Sequence, residues 1–515
     1  MKTAKLMALL MCIVLLATAV LAACQPTDDT GTSSAGGSTS GTQSGGQGAD
    51  EYHNSTGRYW PTYSDEMSAN LIGDRKEVRV LVYNNTIQTT YYSEEIEPDM
   101  YDTTDSTLNE AVKERNNYVS EQLGVEIKAV PVDNVGETLQ NAITAGEGDF
   151  DIAMPFISSC TTQAVNGNYY DLREFEEKGI IDLSAPWYDQ NANESFSIKN
   201  KMYFTISDMS IMQMIVSIAM MYNPDILETN YPDVDIFQLV LDKEWTLDKM
   251  IELARGVADD SNGDGVLDYN DTWGISAAYG DAVSYYLASG EKLCTKNEND
   301  EPIIAIGGDR SLSISQKVLD NLQDKTWVIH AQDLTSQGYS GDIWEGSLEI
   351  FGEERALFRN TAFSAIKKIR NYSVDYRVIP LPLMDDTQDE YYTPCNAVMA
   401  YGVVIPTFLS EEDANFAAYM MDVMSATGRQ YIRESYYEQI LKNKDGLSDE
   451  DQSIDMLDLI FSNIVYDVGR VYNFGELNTL HDTLMKNNST AIASQLESIR
   501  SAAEQAIADV IERYS

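Results

Sequence analysis

Apolar residues along this chain change their period several times, and each change marks an element. Glu77-Val78-Arg79-Val80-Leu81-Val82-Tyr83 is β-branched and partly alternating, which predicts a strand. From Ser106 to Leu123 the apolar positions Leu108, Val112, Val119 and Leu123 recur at helical spacing, and Gly124 stands where that helix should stop. Val125 to Val132 returns to strand character, and Leu139, Ala142 and Ile143 mark a second helix before Gly146. Phe150 to Met154 is a short buried-type strand closed by Pro155. Strand, helix, strand, helix, strand in that order predicts a parallel, helix-covered sheet, the α/β class.

Further along, an apolar run rich in Met and Ile extends from Ile211 to Tyr222 and ends at Asn223-Pro224. The pattern then restarts: Leu247, Met250, Ile251, Ala254 and Val257 trace one helix face behind Thr246, an N-cap residue type. Tyr376 to Leu381 and Tyr401 to Ile405 read as strands. In the tail, Ile492, Leu496, Ile499, Ala503, Ile507 and Val510 line one face of a long helix. About 440 residues of such pattern are too many for one simple core and predict two lobes.

The N-terminus differs from all of this. Lys2 and Lys5 precede an apolar run from Leu6 to Leu21, and Leu21-Ala22-Ala23 leads directly into Cys24. Polar residues follow at once, so the run reads as a signal peptide over 1–23 and not as a spanning helix. It resembles the lipobox of bacterial lipoproteins. That resemblance implies cleavage before Cys24, palmitate-type acylation of its thiol, and a chain held by lipid on the extracellular face of the cell membrane. Gln25 to about Asp50 is Thr, Ser, Gly and Gln with almost no apolar residues, which predicts a flexible leash. The lipidated Cys24 and its tether are assigned to 24–75, and the body to 76–515.

Charge and rare residues then narrow the function classes. A net charge of −47 repels nucleic acid and anionic lipid. The three body cysteines Cys160, Cys294 and Cys395 match no metal spacing and read as buried small hydrophobes. His53, His330 and His481 are the only histidines, and no serine elbow, paired-histidine metal motif or phosphate loop is present. Acidic pairs such as Glu353-Glu354 leave a glycosidase pair formally open, with solvated faces the simpler reading.

One loop has metal-binding order. Asp260-Ser261-Asn262-Gly263-Asp264-Gly265-Val266-Leu267-Asp268-Tyr269-Asn270-Asp271 places oxygen donors at positions one, three, five and nine of a twelve-residue calcium loop. Gly265 falls at the sharp turn, Val266 would offer its carbonyl, and Asp271 closes the loop where a longer glutamate is usual. The expected ligand set for a structural Ca2+ is therefore Asp260, Asn262, Asp264, Val266, Asp268 and Asp271. A polar surface turn without metal is the alternative.

Several stretches, taken in order, share the pattern of one known family. Asp151-Ile152-Ala153-Met154 and Asn166-Gly167-Asn168-Tyr169-Tyr170-Asp171-Leu172 are similar to its D-I-x-x and G-x-x-x-D-L stretches. Asp182-Leu183-Ser184-Ala185-Pro186-Trp187-Tyr188 is similar to D-L-S-x-P-W-W, and Lys201-Met202-Tyr203-Phe204 and Met221-Tyr222-Asn223 to G-K-x-Y and x-Y-N-K. Trp245-Thr246-Leu247-Asp248, Asp264-Gly265 and Trp273-Gly274-Ile275 continue the order, as do Ala356-Leu357-Phe358 and Val378-Ile379-Pro380-Leu381-Pro382. Together these stretches resemble the family 1 extracellular solute-binding proteins, lipoproteins of bacterial ABC importers in the sugar-uptake branch, with Asn166 and Pro224 departing from the pattern.

The resemblance implies a type II periplasmic-binding-protein-like clamshell, each lobe a helix-covered sheet, with a helical C-terminal region. Lobe 1 would span about 76–213 plus 404–426, lobe 2 about 221–395, and C-terminal helices 427–515, with crossings near 215–220 and 397–402. It further implies a monomeric, non-catalytic protein that closes on a carbohydrate and hands it to importer permease subunits. Sugar recognition needs aromatic faces together with carboxylate and amide groups. By position the candidates are Asn84, Asn85, Phe156, Ser158 and Ser159 from lobe 1, and Trp344, Arg359, Asn360 and Phe363 from lobe 2. Tyr391, Tyr392 and Asn396 near the second crossing complete the set. Trp187 and Trp245 read as core anchors. A ligand-presenting subunit of a membrane sensor and a secreted glycoside hydrolase are the alternatives.

Overall fold

The computed structural model describes residues 52–102, 105–442 and 450–515. The signal segment, Cys24 and the leash that follows lie outside the described residues. Three parallel strands form the first sheet: β1 (Glu77–Tyr83), β2 (Glu126–Val132) and β3 (Ile152–Ala153), in the order β2-β1-β3. Glu77 pairs with Glu126 and Tyr83 with Val132, so β1 and β2 match over their whole length. Val80, Leu81 and Val82 are fully buried, as the central strand of a sheet covered on both faces must be. The connecting helices are set by local chemistry. The Asp105 carboxylate accepts from Thr107 N at 2.8 Å to start Ser106–Leu123, and Gly124 at φ 66° ends it.

The second sheet gathers strands from the middle of the chain. In order these are β4 (Ile218–Tyr222), β5 (Trp273–Ala277), a separate hairpin β6 (Cys294–Lys296) and β7 (Pro302–Ile304), β8 (Val328–His330), β9 (Ala356–Ala362) and β10 (Arg377–Ile379). The sheet order is β10-β4-β9-β5-β8, with β5 parallel to β8 and β9 and β4 antiparallel to β9 and β10. The apolar run 211–222 is split between a single helical turn, Met212–Ile215, and β4. Ser217 marks the break, its hydroxyl donating back to Gln213 O at 2.7 Å.

The chain crosses between the two sheets at Val216–Ser217 and again at Cys395–Asn396. Ser217 bridges Cys395, and Asn396 N donates to Val216 O at 3.1 Å. Beside this crossing β11 (Thr393–Pro394) pairs in parallel with β12 (Ile464–Val465), contributed by the C-terminal region. The segment Tyr401–Ile405, expected as a strand, packs against residues of the first lobe but not as a strand. Val404 bridges Ala153, Val403 bridges Thr205 and Tyr401 bridges Phe156. Its partners are separate short segments, so no continuous ladder develops.

Two sequence-based boundaries shift. Helix Glu411–Gly428 runs on through a π-type turn, Arg429–Arg433, into Glu434–Lys442, so a boundary at 426/427 falls inside one helical rod. The tether was expected to reach residue 75, yet 52–75 is docked on the first lobe. Tyr52 OH donates to Asp182 at 3.0 Å, its ring meets Trp187 edge-on at 5.4 Å, and helix Asp65–Ile72 is capped by Ser64. Tyr52, Tyr59, Trp60 and Tyr63 bring enough apolar area to offset the entropy of ordering. Trp187 and Trp245 are core residues, and Cys160, Cys294 and Cys395 are buried free thiols. Among the described residues no helix is long and apolar enough to cross a membrane.

Candidate functional site

In open α/β sheets ligands meet the carboxyl ends of the strands, and both sheets turn those ends toward the crossings. On the first lobe, β1 ends at Tyr83 and β3 leads through Pro155 to Phe156. The two rings stack at 4.3 Å and 26°, and Tyr401 lies behind Tyr83 at 5.5 Å. Tyr401 is fixed by donating to Tyr91 O at 2.8 Å. Phe156 keeps partial exposure, so the half-buried ring is backed by two buried ones. Asn84 shapes the adjoining turn, accepting from Thr86 N at 3.1 Å and Thr86 Oγ1 at 2.7 Å, with Asn85 half-buried beside it. Ser158 is exposed on the first turn of helix Ile157–Val165 and reaches Val398 O at 3.5 Å, while Ser159 is half-buried.

On the second lobe, helix Ile343–Gly352 enters β9, so its first turn lies at the carboxyl edge of the sheet. Trp344 stands there with 52 % of its surface exposed, its backbone held by Asp342, which accepts from Trp344 N and Glu345 N at 3.0 Å each. Behind it Arg359 is buried, donating from Nη1 to Ser347 O and Oγ at 2.6 Å and to Ser276 Oγ at 3.2 Å. Burial pulls its guanidinium down to about 10, against the pull of Asp281. Asp281, just beyond β5, is pushed by burial up to about 7, with the Ala278 N–H, Asn360 and Arg359 opposing that rise. Tyr279 OH donates to Asp333 at 2.8 Å at the same edge. Asp281 thus lies close to Asn360 and Arg359 at the carboxyl edge of the second sheet.

Not every sequence candidate lies on these walls. Phe363 is buried against Phe461 at 4.7 Å, and Tyr391 is buried with its hydroxyl donating to Val240 O at 3.1 Å. Both pack structure. Tyr392 lies over Gly290 and lines a cavity on the C-terminal side of the crossing. Asn396 sits on the crossing itself and accepts from Val398 N at 3.2 Å. Sequence reasoning missed Tyr83, Tyr401, Tyr279 and Asp281, whose roles depend on neighbours distant in the chain. Tyr83 and Tyr279 did carry one readable signal, each standing at or just after a strand's carboxyl end.

In the loop 260–271 the carboxylates close on their own backbone. Asp260 accepts from Gly263 N and Gly265 N at 2.8 Å each, Asn262 from Asp264 N at 2.8 Å, and Asp264 from Val266 N at 2.9 Å. Asp268 accepts from Asn270 N at 2.8 Å, and the fully buried Asp271 accepts from Asp268 N at 2.8 Å. Val266 is exposed. Among the described residues no group of three or more His, Cys, Asp or Glu side chains stands close enough to hold a metal ion.

The sequence matches the family model for the bacterial extracellular solute-binding protein over residues 101–422, more than half of the chain. A search of curated proteins by sequence finds no match. Among solved structures, the chain is similar to a cyclo/maltodextrin-binding protein complexed with maltotetraose, at 13 % identity and TM-score 0.52, covering 84 % of this chain and 98 % of that one. An ABC substrate-binding protein from Listeria monocytogenes in complex with cycloalternan matches at 14 % identity and TM-score 0.52, covering 84 % and 100 %. UgpB from Mycobacterium tuberculosis in complex with glycerophosphocholine matches at 12 % identity and TM-score 0.52, covering 85 % and 99 %. At these identities the likeness establishes the two-lobed α/β fold.

Proposed function

Because the chain belongs to the bacterial extracellular solute-binding protein family, a non-catalytic class, we propose that it captures an oligosaccharide between its two sheets and delivers it to ABC importer permease subunits. The observation that supports the ligand class is a partly exposed aromatic ring at the carboxyl edge of each sheet, Phe156 on the first and Trp344 on the second. Phe156, backed by Tyr83, and the half-exposed Trp344 would offer flat faces to sugar C–H groups, and the partly exposed Asp281 would offer a carboxyl group to hydroxyls. Two of the similar structures hold saccharides, maltotetraose and cycloalternan, and one holds glycerophosphocholine. A net charge of −47 weighs against an anionic ligand. Lipid attachment at Cys24 would keep the body at the membrane beside its importer.

A thermal-shift panel of oligosaccharides on the Cys24→Ser chain tests this. Saturation a hundredfold above Kd stabilises by about 2.7 kcal/mol, which raises the melting temperature. Trp344→Ala should weaken that saccharide about tenfold or more and leave the unliganded melting point unchanged. A rise with peptides and none with any saccharide overturns the ligand class.

We also propose that the loop 260–271 takes a structural calcium ion. The twelve-residue order supports this, as do Gly263 and Gly265 at φ 72° and 85° and the buried Asp271 at the loop's base. Asp260, Asn262, Asp264, Val266, Asp268 and Asp271 would hold it. The ion would replace backbone N–H groups as the partner of the side-chain oxygens.

A further inference from the structure

A cavity of about 250 Å³ lies beside the first crossing, on the side where the C-terminal helices pack. Its walls come from three regions: Pro186 and Tyr188–Asn191 of the first lobe, Ser207, Asp208 and Gln213 leading into the crossing, and Arg433, Phe461, Ser462 and Ile464 of the C-terminal region. None of the cleft residues described above lines it. The lining is dominated by polar atoms, which a cavity serving only to relieve packing does not require.

Most of these polar groups are already held. Asp208 accepts from Arg433 Nη1 and Arg429 Nη1 at 2.9 Å each. Asp189 accepts from Ala192 N and Tyr466 OH at 2.9 Å each, leaving one lone pair on each oxygen. Gln213 is the exception. Its side chain is 4 % exposed, it lines the cavity, and its carboxamide makes no hydrogen bond among the described residues. The carboxamide opens onto the cavity, so its donors and acceptor are free to be met by a polar molecule there.

We propose that this cavity is a second solute site, for a small neutral polyol. Neutrality follows from charge balance: the carboxylates Asp189 and Asp208 in the wall are offset by Arg433 in the wall and by Arg429, which pairs with Asp208 from outside it. Size follows from the volume, below the ~300 Å³ at which drug-sized pockets begin. Hydroxyl groups, which both donate and accept, match the carboxamide of Gln213, the open lone pairs of Asp189 and the remaining N–H groups of Arg433. The site is separate from the cleft proposed for the oligosaccharide and does not rest on that reading.

Calorimetric titration of the Cys24→Ser chain with xylitol, and separately with glycerol, tests the proposal. Saturable binding of at least one is expected, weakened about tenfold or more by Gln213→Leu. Ser462→Trp places an exposed residue's new bulk at the cavity rim and should block binding without touching the core. If Gln213→Leu fails to fold, Ser462→Trp alone decides. Trp344→Ala should leave polyol binding intact. The proposal is overturned if neither polyol binds, if binding survives the cavity variants, or if Trp344→Ala abolishes it. Polyol binding that depends on the cavity, in a chain that binds no oligosaccharide, would uphold this site while removing the cleft reading.

Discussion

Asp422 offers the sharpest test of how this body is held together. It is fully buried on helix Glu411–Gly428, and its carboxylate accepts from Trp187 Nε1 at 2.7 Å, from Tyr188 OH at 2.8 Å and from Tyr63 OH. No cation faces it, and burial outweighs the three donors, so its pKa is pushed up to about 7. The sign of the linkage follows. Folding favours the protonated form, so the stabilising contribution is fully present below the unfolded value and is lost as pH rises through about 7. Between pH 5 and 8 the folded chain holds this proton over about two pH units more than the unfolded chain does, worth about 2 to 3 kcal/mol. His481, pulled down to about 3 by burial, acts in the opposite direction, and Asp281 acts in the same one. The comparison must therefore be with Asp422→Asn, in which those other groups cancel. The variant loses an acceptor for one of three buried donors and should cost about 1–3 kcal/mol at pH 5. That gap should narrow by about 2 to 3 kcal/mol by pH 8. Urea unfolding of both chains, followed by tryptophan fluorescence at several pH values, measures it. A gap that stays constant or widens with pH would falsify the reasoning.

Three further expectations can be checked directly. Lys367, on helix Ser364–Ile369 of the second lobe, pairs with Glu94 of the first, and Glu94 is only 2 % exposed. Lys367→Met leaves a buried carboxylate uncompensated, a loss near the lower end of ~3–5 kcal/mol because the lysine is partly solvated; small-angle scattering should show a larger radius of gyration and saccharide affinity should fall. Calcium should raise the melting temperature of the chain, and Asp260→Ala with Asp264→Ala should abolish that rise; no response to calcium or chelator would leave the loop a polar turn. Cys24→Ser should move the protein from the membrane fraction to the soluble one, and continued membrane association would remove the lipid-anchor reading.

What the sequence made legible was local. The caps and stops of Ser106–Leu123 and Leu247–Val257 depend on residues within a turn of the helix ends, and Thr246 accepts from Lys249 N at 3.2 Å as its type and place predict. The α/β alternation was readable because Val80, Leu81 and Val82 need cover on both faces. The site was less legible, since an aromatic near a strand end can turn either way. Phe156 stays at the surface because Tyr83 and Tyr401 fill the space beneath it, whereas Phe363 turns inward because Phe461, 98 positions away in the chain, offers a partner. Neither choice is encoded within ten residues. The segment 52–75 was misread for a related reason. The polar composition of 25–50 extended the tether by proximity, while the burial of Tyr63 rests on Asp422, 359 residues away.

That docking has a mechanical consequence. Tyr52 is held by Asp182, Tyr63 by Asp422 and Arg75 by Asp413 at 2.7 Å, and all three acceptors belong to the first lobe or to the helix packed on it. Force applied at the N-terminus therefore reaches the first lobe before the second. With Cys24 lipidated, as proposed, the membrane would fix the lobe carrying Phe156 and leave the lobe carrying Trp344 to swing. The contacts restraining that swing are mostly polar: Ser217 with Cys395, Asn396 with Val216, Lys367 with Glu94, and the turn Ser197–Asn200 with Lys296, Asp300 and Glu301. Each neutral hydrogen bond among them contributes about 1 kcal/mol net and the Lys367–Glu94 pair more, so a ligand gripped by both lobes must outweigh those contacts that part as the lobe swings. Closure can then be decided by what the two lobes grip, which is the property a solute carrier needs.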